Sequence, residues 1–171
     1  MPELMKEHII HPIPPYYDER SRILILGSFP SVKSREQMFF YGHPQNRFWK
    51  VIAQVFEDGI PNTVMDKKAF LTRHRIALWD VIGACDIEGS SDASIKNVIT
   101  NDLTEILDSS DICRIFVNGK TAEKYYIKYI EKEIHRKAVC LPSTSPANAT
   151  WNIEKLTEVW RAEIMNRKEK D

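Results

Sequence analysis

The chain has 171 residues, 43% hydrophobic and 28% charged, enough for one globular core and too few for two ordinary domains. Its 24 basic and 24 acidic residues cancel, which excludes a global positive field for nonspecific nucleic-acid binding and leaves any such contact to a local patch. No run approaches the roughly 20 apolar residues of a membrane helix, and the opening MPELMKEHII lacks a signal-peptide core, so a cytoplasmic monomer without membrane association is expected.

In chain order, residues 1 to 15 read as a loosely held end. The apolar run from Arg22 to Leu26 has the length of a buried strand and leaves into Gly27-Ser28-Phe29-Pro30-Ser31. Phe48, Trp49, Ile52, Val55 and Phe56 then recur at helical spacing, with Gly59 and Pro61 as a stop, and a short helix is expected over 66 to 73. A second strand-like run, Ile76 to Trp79, opens a long polar loop, 80 to 92. A helix marked by Leu103, Ile106 and Leu107 follows, with its cap expected near Asn101. Ile112 to Val117 is the third run, and Ala122, Tyr125, Tyr126, Tyr129 and Ile130 form the helical pattern after it. The fourth, Ala138 to Leu141, leads through PSTSPANA to a last helix carrying Ile153, Leu156, Val159, Trp160 and Ile164, before another loose end from 166 to 171.

Parallel strands need crossover connections, so this repeated strand–helix alternation implies a parallel sheet with helices on both faces. The expected fold is a single three-layer α/β/α domain with its core between about residues 12 and 165. Ligands in such folds bind beyond the carboxyl ends of the strands, which directs attention to the loops at 27 to 34, 80 to 92, 118 to 120 and 142 to 149. Cys85, Cys113 and Cys140 include no close pair that could start a metal site and read as buried thiols. Neither a metal nor an organic cofactor is expected.

Gly27 and Pro30 let the first loop approach a ligand closely and offer it amide donors, although an ordinary tight turn has the same composition. In FFYGHPQNRFW, aromatics such as Tyr41 offer a surface for a base, and Asn46 an amide to orient a water or meet a base edge. The same residues admit plainer roles: Phe48 and Trp49 in the core, Asn46 as a helix cap, His43 in a turn. Asp80 and Asp92 suit either a polar pocket or caps, and Asn118 either a site or a turn. The hydroxyls of Ser143, Thr144 and Ser145 suit phosphates, and Pro142 and Pro146 stiffen their loop. Lys120, opening a helix, suits a phosphate or plain solvent.

GSFPS followed by FYGHPQNRFWKVI is similar to the first motif region of the mismatch-specific branch of the uracil-DNA glycosylase superfamily, with its HPxNxFW stretch. Together with DERSRILILGSFPS, IALWDVIGACDIEGSSDASIKN, RIFVNGKTA and LPSTSPANA, it makes residues 12 to 165 resemble the deoxyinosine glycosylase family. The resemblance implies a four-stranded parallel sheet and a cofactor-free, monofunctional enzyme that flips a deaminated base, hypoxanthine above all, out of DNA and hydrolyses its glycosidic bond. Phe29 stands where related branches carry a water-activating Asp or Asn. The resemblance therefore moves that role to Asn46, with Asn118 as a second catalytic position whose implied task is recognising the base. It further implies a base pocket of Gly27, Ser28, Phe29, Tyr41, His43 and Asp80. DNA contacts are implied at Ser31, Lys33, Lys120, Ser143 to Pro146 (Thr144 and Ser145 included) and Asn148. Hypoxanthine offers an N1 proton and an O6 acceptor, so a carboxylate such as Asp80 facing N1 and an amide facing O6 are the matching chemistry. The rivals are a uracil or G:T mismatch glycosylase, a catalytically silent nucleic-acid binding module, and a domain acting on free nucleosides, which lacks a GxxxxGKS phosphate loop here.

Overall fold

The computed structural model describes residues 6–166. Its centre is a four-stranded parallel sheet in the order β3-β2-β6-β7, formed by Ile76–Asp80, Ile23–Gly27, Arg114–Asn118 and Val139–Leu141. Side chains alternate across a strand, and the sheet is covered on both faces, so the strands are apolar except at their ends, where Asp80, Arg114 and Asn118 stand. Ile23 and Ile25 of β2 join a core under α2 (Phe48–Val55), α3 (Val64–Arg73) and α7 (Ile153–Ile164). Leu24 and Leu26 face the opposite core, under α4 (Thr104–Asp108) and the helix from Lys120 to Ile134, which continues α5 (Lys120–Tyr125) through a π turn (Tyr126–Ile130) into α6 (Glu131–Ile134). All four expected strands are present, shifted by two residues at most at either end.

The expected loop 80 to 92 is largely not a loop. Ile82–Ile87 is β4, the centre of a second, antiparallel sheet with β1 (Glu7–Ile10) and β5 (Lys96–Thr100). Its alternation is blurred because Gly83 and Asp86 interrupt an apolar run that closes the second core through Ile82, Cys85 and Ile87. The N-terminal segment is likewise part of the fold from residue 7 onward, with Ile13 only 2% exposed; residues 1–5 and 167–171 of the expected loose ends lie outside the described residues. Asn101 does not cap α4. The N-cap position falls on Leu103, whose side chain cannot cap; Asp102, just before it, accepts the Thr104 N–H at 2.9 Å, and the Asn101 amide ties the carbonyls of Asp80 and Ile82. Cys113, expected inside, is exposed because it precedes β6 at the amino end of the sheet, beyond the covering helices, with its thiol toward the Arg22 carbonyl.

β2 sends its crossover to β3 on one side, and the chain later returns to β6 on the other. The carboxyl ends of β2 and β6 therefore flank the crevice where the direction of winding reverses, the place in such sheets where helix and loop ends part to admit a ligand. Gly27 closes β2 there and Asn118 closes β6. Among the described residues no helix is long and apolar enough to cross a membrane.

Candidate active site

A pocket of about 460 Å³ opens at that crevice. It has the size of a small-molecule site and is walled by three of the expected loops, with Asn118 supplied by the fourth. Gly27, Ser28, Phe29 and Ser31 form one side, Tyr41, His43 and Asn46 another, and Ser143, Thr144, Ser145 and Pro146 the rim opposite. Asp80 and Asn118 lie at the strand ends beneath them. Asn148 and Lys120 line a neighbouring cavity of about 580 Å³ instead, which also includes Trp151. Lys33 lies on neither, on the exposed side of α1 (Val32–Gln37), 3.7 Å from Glu36.

The floor is a continuous set of hydrogen bonds. Asn118 Nδ2 donates both to the Tyr41 hydroxyl oxygen (3.2 Å) and to Thr144 Oγ1 (3.0 Å), and its Oδ1 accepts the Thr144 N–H (3.1 Å). Thr144 Oγ1 in turn donates to Asn46 Oδ1 at 2.9 Å. That oxygen also accepts the Phe48 N–H at 2.9 Å, so Asn46, one residue before the N-cap Arg47, steadies the turn into α2 while lining the pocket. Two donors fix the amide's orientation: Oδ1 turns to the protein, and Nδ2 is left to meet a ligand. The Asn118 amide has both protons engaged by the protein, which places it as a brace beneath Tyr41 and Thr144. Thr144 itself is fully buried and uses its hydroxyl in this chain, so it is not free to meet a phosphate as expected. Ser143 and Ser145 differ, since each hydroxyl accepts a loop N–H and keeps its own proton to donate.

Tyr41 takes a left-handed backbone conformation (φ 55°) and stacks on Phe48 with ring centroids 4.1 Å apart. Burial, with the neighbouring Asp80 charge second, pushes its ionisation far above the usual tyrosine range, so it keeps its proton. Asp80 is held from below by His11, whose Nε2 lies 2.8 Å from Oδ2 with both side chains almost fully buried. Gly27 is required by this packing: a Cβ there would stand 2.5 Å from Asp80 Oδ1 and 3.1 Å from the Tyr41 hydroxyl. Phe29 is a packed wall residue, edge-on to His11 and beneath the Arg35 guanidinium.

Two contributors lay outside the sequence expectations, and a third, Asp92, is one that the sequence leaves open between a polar pocket and a cap. Arg47 reaches from the start of α2 to the carbonyls of Ser145 (2.8 Å), Asn148 (3.1 Å), Thr144 (3.4 Å) and Trp151, and so pins the whole 144–151 loop. Its place one residue after Asn46 was the available signal. His11 gave no signal, sitting in a proline-rich segment read as an end. Asp92 stood among the polar residues of the second loop. Its carboxylate accepts from Ser28 Oγ (3.1 Å), and crowding by the pocket walls raises it above the ordinary carboxylate range, with Asp80 adding and Ser28 opposing. Asn148 Nδ2 donates to the Ser143 carbonyl (2.9 Å) and braces the loop from within. Lys120 is 90% exposed, 3.8 Å from Glu123.

Residues 14–166 match the family model of the uracil DNA glycosylase superfamily. The chain belongs to this superfamily. A protein of Methanosarcina acetivorans named hypoxanthine DNA glycosylase is 32% identical over 151 residues, 87% of this chain and 94% of that one. A protein of the same name from Methanosarcina barkeri is 33% identical over 114 residues, 66% of this chain and 72% of its own. The fold is similar to a solution NMR structure from Methanosarcina acetivorans assigned to the uracil DNA glycosylases, with a TM-score of 0.73 and 30% identity over 87% of this chain and 94% of that one. The four-stranded parallel sheet between helical layers is thus the superfamily's architecture, and the pocket lies beyond the carboxyl ends of its paired central strands β2 and β6.

Proposed function

We propose that this protein is a monofunctional DNA glycosylase that hydrolyses the N-glycosidic bond of a deaminated base, hypoxanthine foremost, after the nucleotide has swung out of the duplex. The observation that carries the reading is the pocket floor, Asn46–Thr144–Asn118–Tyr41 beside Asp80, in a superfamily chain whose relatives include hypoxanthine DNA glycosylases. A base inside a duplex cannot present its glycosidic bond, so a pocket sized for one nucleotide implies extrusion.

In this reading Asn46 Nδ2–H holds a water by one lone pair, leaving the other to meet the sugar C1′ as the bond to the base lengthens and the sugar takes on oxocarbenium character; the electron pair of the broken bond leaves with the base, and the proton the water sheds passes to that anion or to solvent. Pocket hydrogen bonds hold the charge that gathers on the departing base, in a site already oriented before the reaction. Lys33 and Lys120 lie outside the base pocket, which supports hydrolysis by water over attack by an amine. Ser143 and Ser145 present donors along the rim for the phosphates on either side of the flipped nucleotide.

The test is single-turnover excision from duplexes carrying hypoxanthine, uracil, xanthine or mispaired thymine, in excess chelator, scored by alkali-labile abasic sites. Hypoxanthine release is expected to be fastest. A protein that releases uracil or thymine faster belongs with the mismatch readers that its HPQNRFW stretch resembles, and one that binds such duplexes without cleaving is a silent module.

A further inference from the structure

Adenine and cytosine differ from their deamination products at one edge. The parent base sets an amine beside a bare ring nitrogen, whereas hypoxanthine and uracil set a carbonyl beside a ring N–H. Rejecting the parent is the harder task for a glycosylase, because undamaged bases vastly outnumber lesions. A matching reader needs one fixed donor next to one fixed acceptor.

The pocket floor holds such a pair. The Tyr41 hydroxyl and Asp80 Oδ1 both stand over bare Gly27, 3.1 and 2.5 Å from where a Cβ would be. Asn118 Nδ2 donates to the phenol oxygen, so the Tyr41 proton points away from that bond. Ionisation of Tyr41 is strongly disfavoured by burial, which keeps the proton in place. On the other side, the Ile13 N–H donates to His11 Nδ1 at 3.2 Å, which makes Nδ1 an acceptor and puts the imidazole proton on Nε2. Nε2 then donates to Asp80 Oδ2 at 2.8 Å, with the imidazole and carboxylate only 2% and 6% exposed. His11 is wedged edge-on against Phe29 and Trp79 and cannot easily turn. Oδ2 is thereby committed, and Oδ1 remains the acceptor of the pair.

We propose that Tyr41 and Asp80 read the carbonyl/N–H edge of a deaminated base, with Tyr41 donating to the carbonyl and Asp80 Oδ1 accepting the ring N–H, and that His11 and Asn118 are the residues that position them. Adenine in the same place sets a ring-nitrogen lone pair against a fixed carboxylate, a repulsion no side-chain rotation relieves. The inference rests on the glycosylase reading above and adds the identity of its discriminating groups. It also gives a task to the N-terminal strand, which brings His11 under the site.

Single-turnover excision is compared on hypoxanthine, uracil, adenine and unsubstituted purine, the last having a bare N1 and no carbonyl. Tyr41→Phe keeps the stack on Phe48 and is expected to slow hypoxanthine and uracil by about 10- to 100-fold, with unsubstituted purine unaffected. Asp80→Asn, whose amide can donate to a bare ring nitrogen, is expected to shrink the hypoxanthine-to-adenine and hypoxanthine-to-purine ratios. His11→Leu should shrink them too, and His11→Gln, which retains an N–H donor, should restore most of the loss. Variants that slow every base by one factor, or folded Tyr41→Phe and Asp80→Asn proteins with unchanged ratios, overturn the reader while leaving the activity standing. If His11→Leu does not fold, those two variants decide. A wild-type protein silent on all deaminated bases overturns the activity itself, and the reader with it.

Discussion

Thr144→Val separates a hydroxyl from the space it fills. Valine keeps the volume and the backbone N–H that donates to Asn118 Oδ1, but removes the Oγ1 that accepts from Asn118 Nδ2 (3.0 Å) and donates to Asn46 Oδ1 (2.9 Å). The site is fully buried, so water cannot enter in its place without a rearrangement. A buried polar group left short of a partner costs about 1–3 kcal/mol, and here there are two, although Asn46 borders the pocket and can recruit solvent. A net loss of about 2–4 kcal/mol is expected. At roughly 2–4 °C per kcal/mol for a protein of this size, the melting temperature should fall by about 5–15 °C. The larger effect should be on chemistry. Asn46 retains its bond from the Phe48 N–H but loses the second donor that fixes its amide, and a misplacement of about 1 Å can cost roughly 100-fold in rate. Single-turnover excision of hypoxanthine at saturating enzyme, below the variant's melting range, measures this, with Thr144→Ser as the rescue because it restores the hydroxyl. A folded Thr144→Val protein within twofold of the wild-type rate, or a Thr144→Ser protein as slow as the valine variant, would refute the role assigned to this hydroxyl.

Asn46→Ala removes both the water-holding amide and the acceptor for the Phe48 N–H; it should cost about 1 kcal/mol in stability and slow hypoxanthine and uracil alike by roughly 100-fold or more, whereas a cap alone predicts only the stability loss. Arg47→Lys keeps the charge but cannot reach four carbonyls, so unfolding should ease by about 2–3 kcal/mol and damaged-duplex affinity should fall as the 144–151 loop loosens; unchanged affinity by fluorescence anisotropy would mean the loop holds its shape without the guanidinium. Asp92 has its folded-state ionisation raised, so its charge costs nothing below the unfolded value near 4 and lowers stability as pH rises through the folded one. Asp92→Asn should therefore melt at or above wild type at pH 7, by a small margin because the carboxylate, though flanked by the pocket walls, faces the open pocket and is partly screened by solvent, with the gap closing toward pH 4; a variant that melts lower at pH 7 would show that the Ser28 bond outweighs the crowding.

Local pattern alone determined the parallel layer of this protein, because a strand buried on both faces must be apolar throughout and a crossover helix must be apolar on one stripe, and both are properties of consecutive residues. The runs beginning at Arg22, Ile76, Ile112 and Ala138, and the loops that follow them, were legible for that reason, and with them most of the pocket wall. The antiparallel sheet was not, since Glu7–Ile10, Ile82–Ile87 and Lys96–Thr100 are interrupted by polar residues and defined only by pairing with one another. The roles of individual polar side chains were least legible. Asn46, Asn118 and Thr144 each suited several tasks as isolated letters, and only the convergence of residues 46, 118 and 144 at two strand ends showed which atoms are already engaged and which remain for a ligand. His11 reaches Asp80 across 69 positions and Arg47 reaches Thr144 across 97. A hydrogen bond depends on angstrom-scale placement, which sequence spacing sets within one helix or strand and only the packing of the whole chain sets between them.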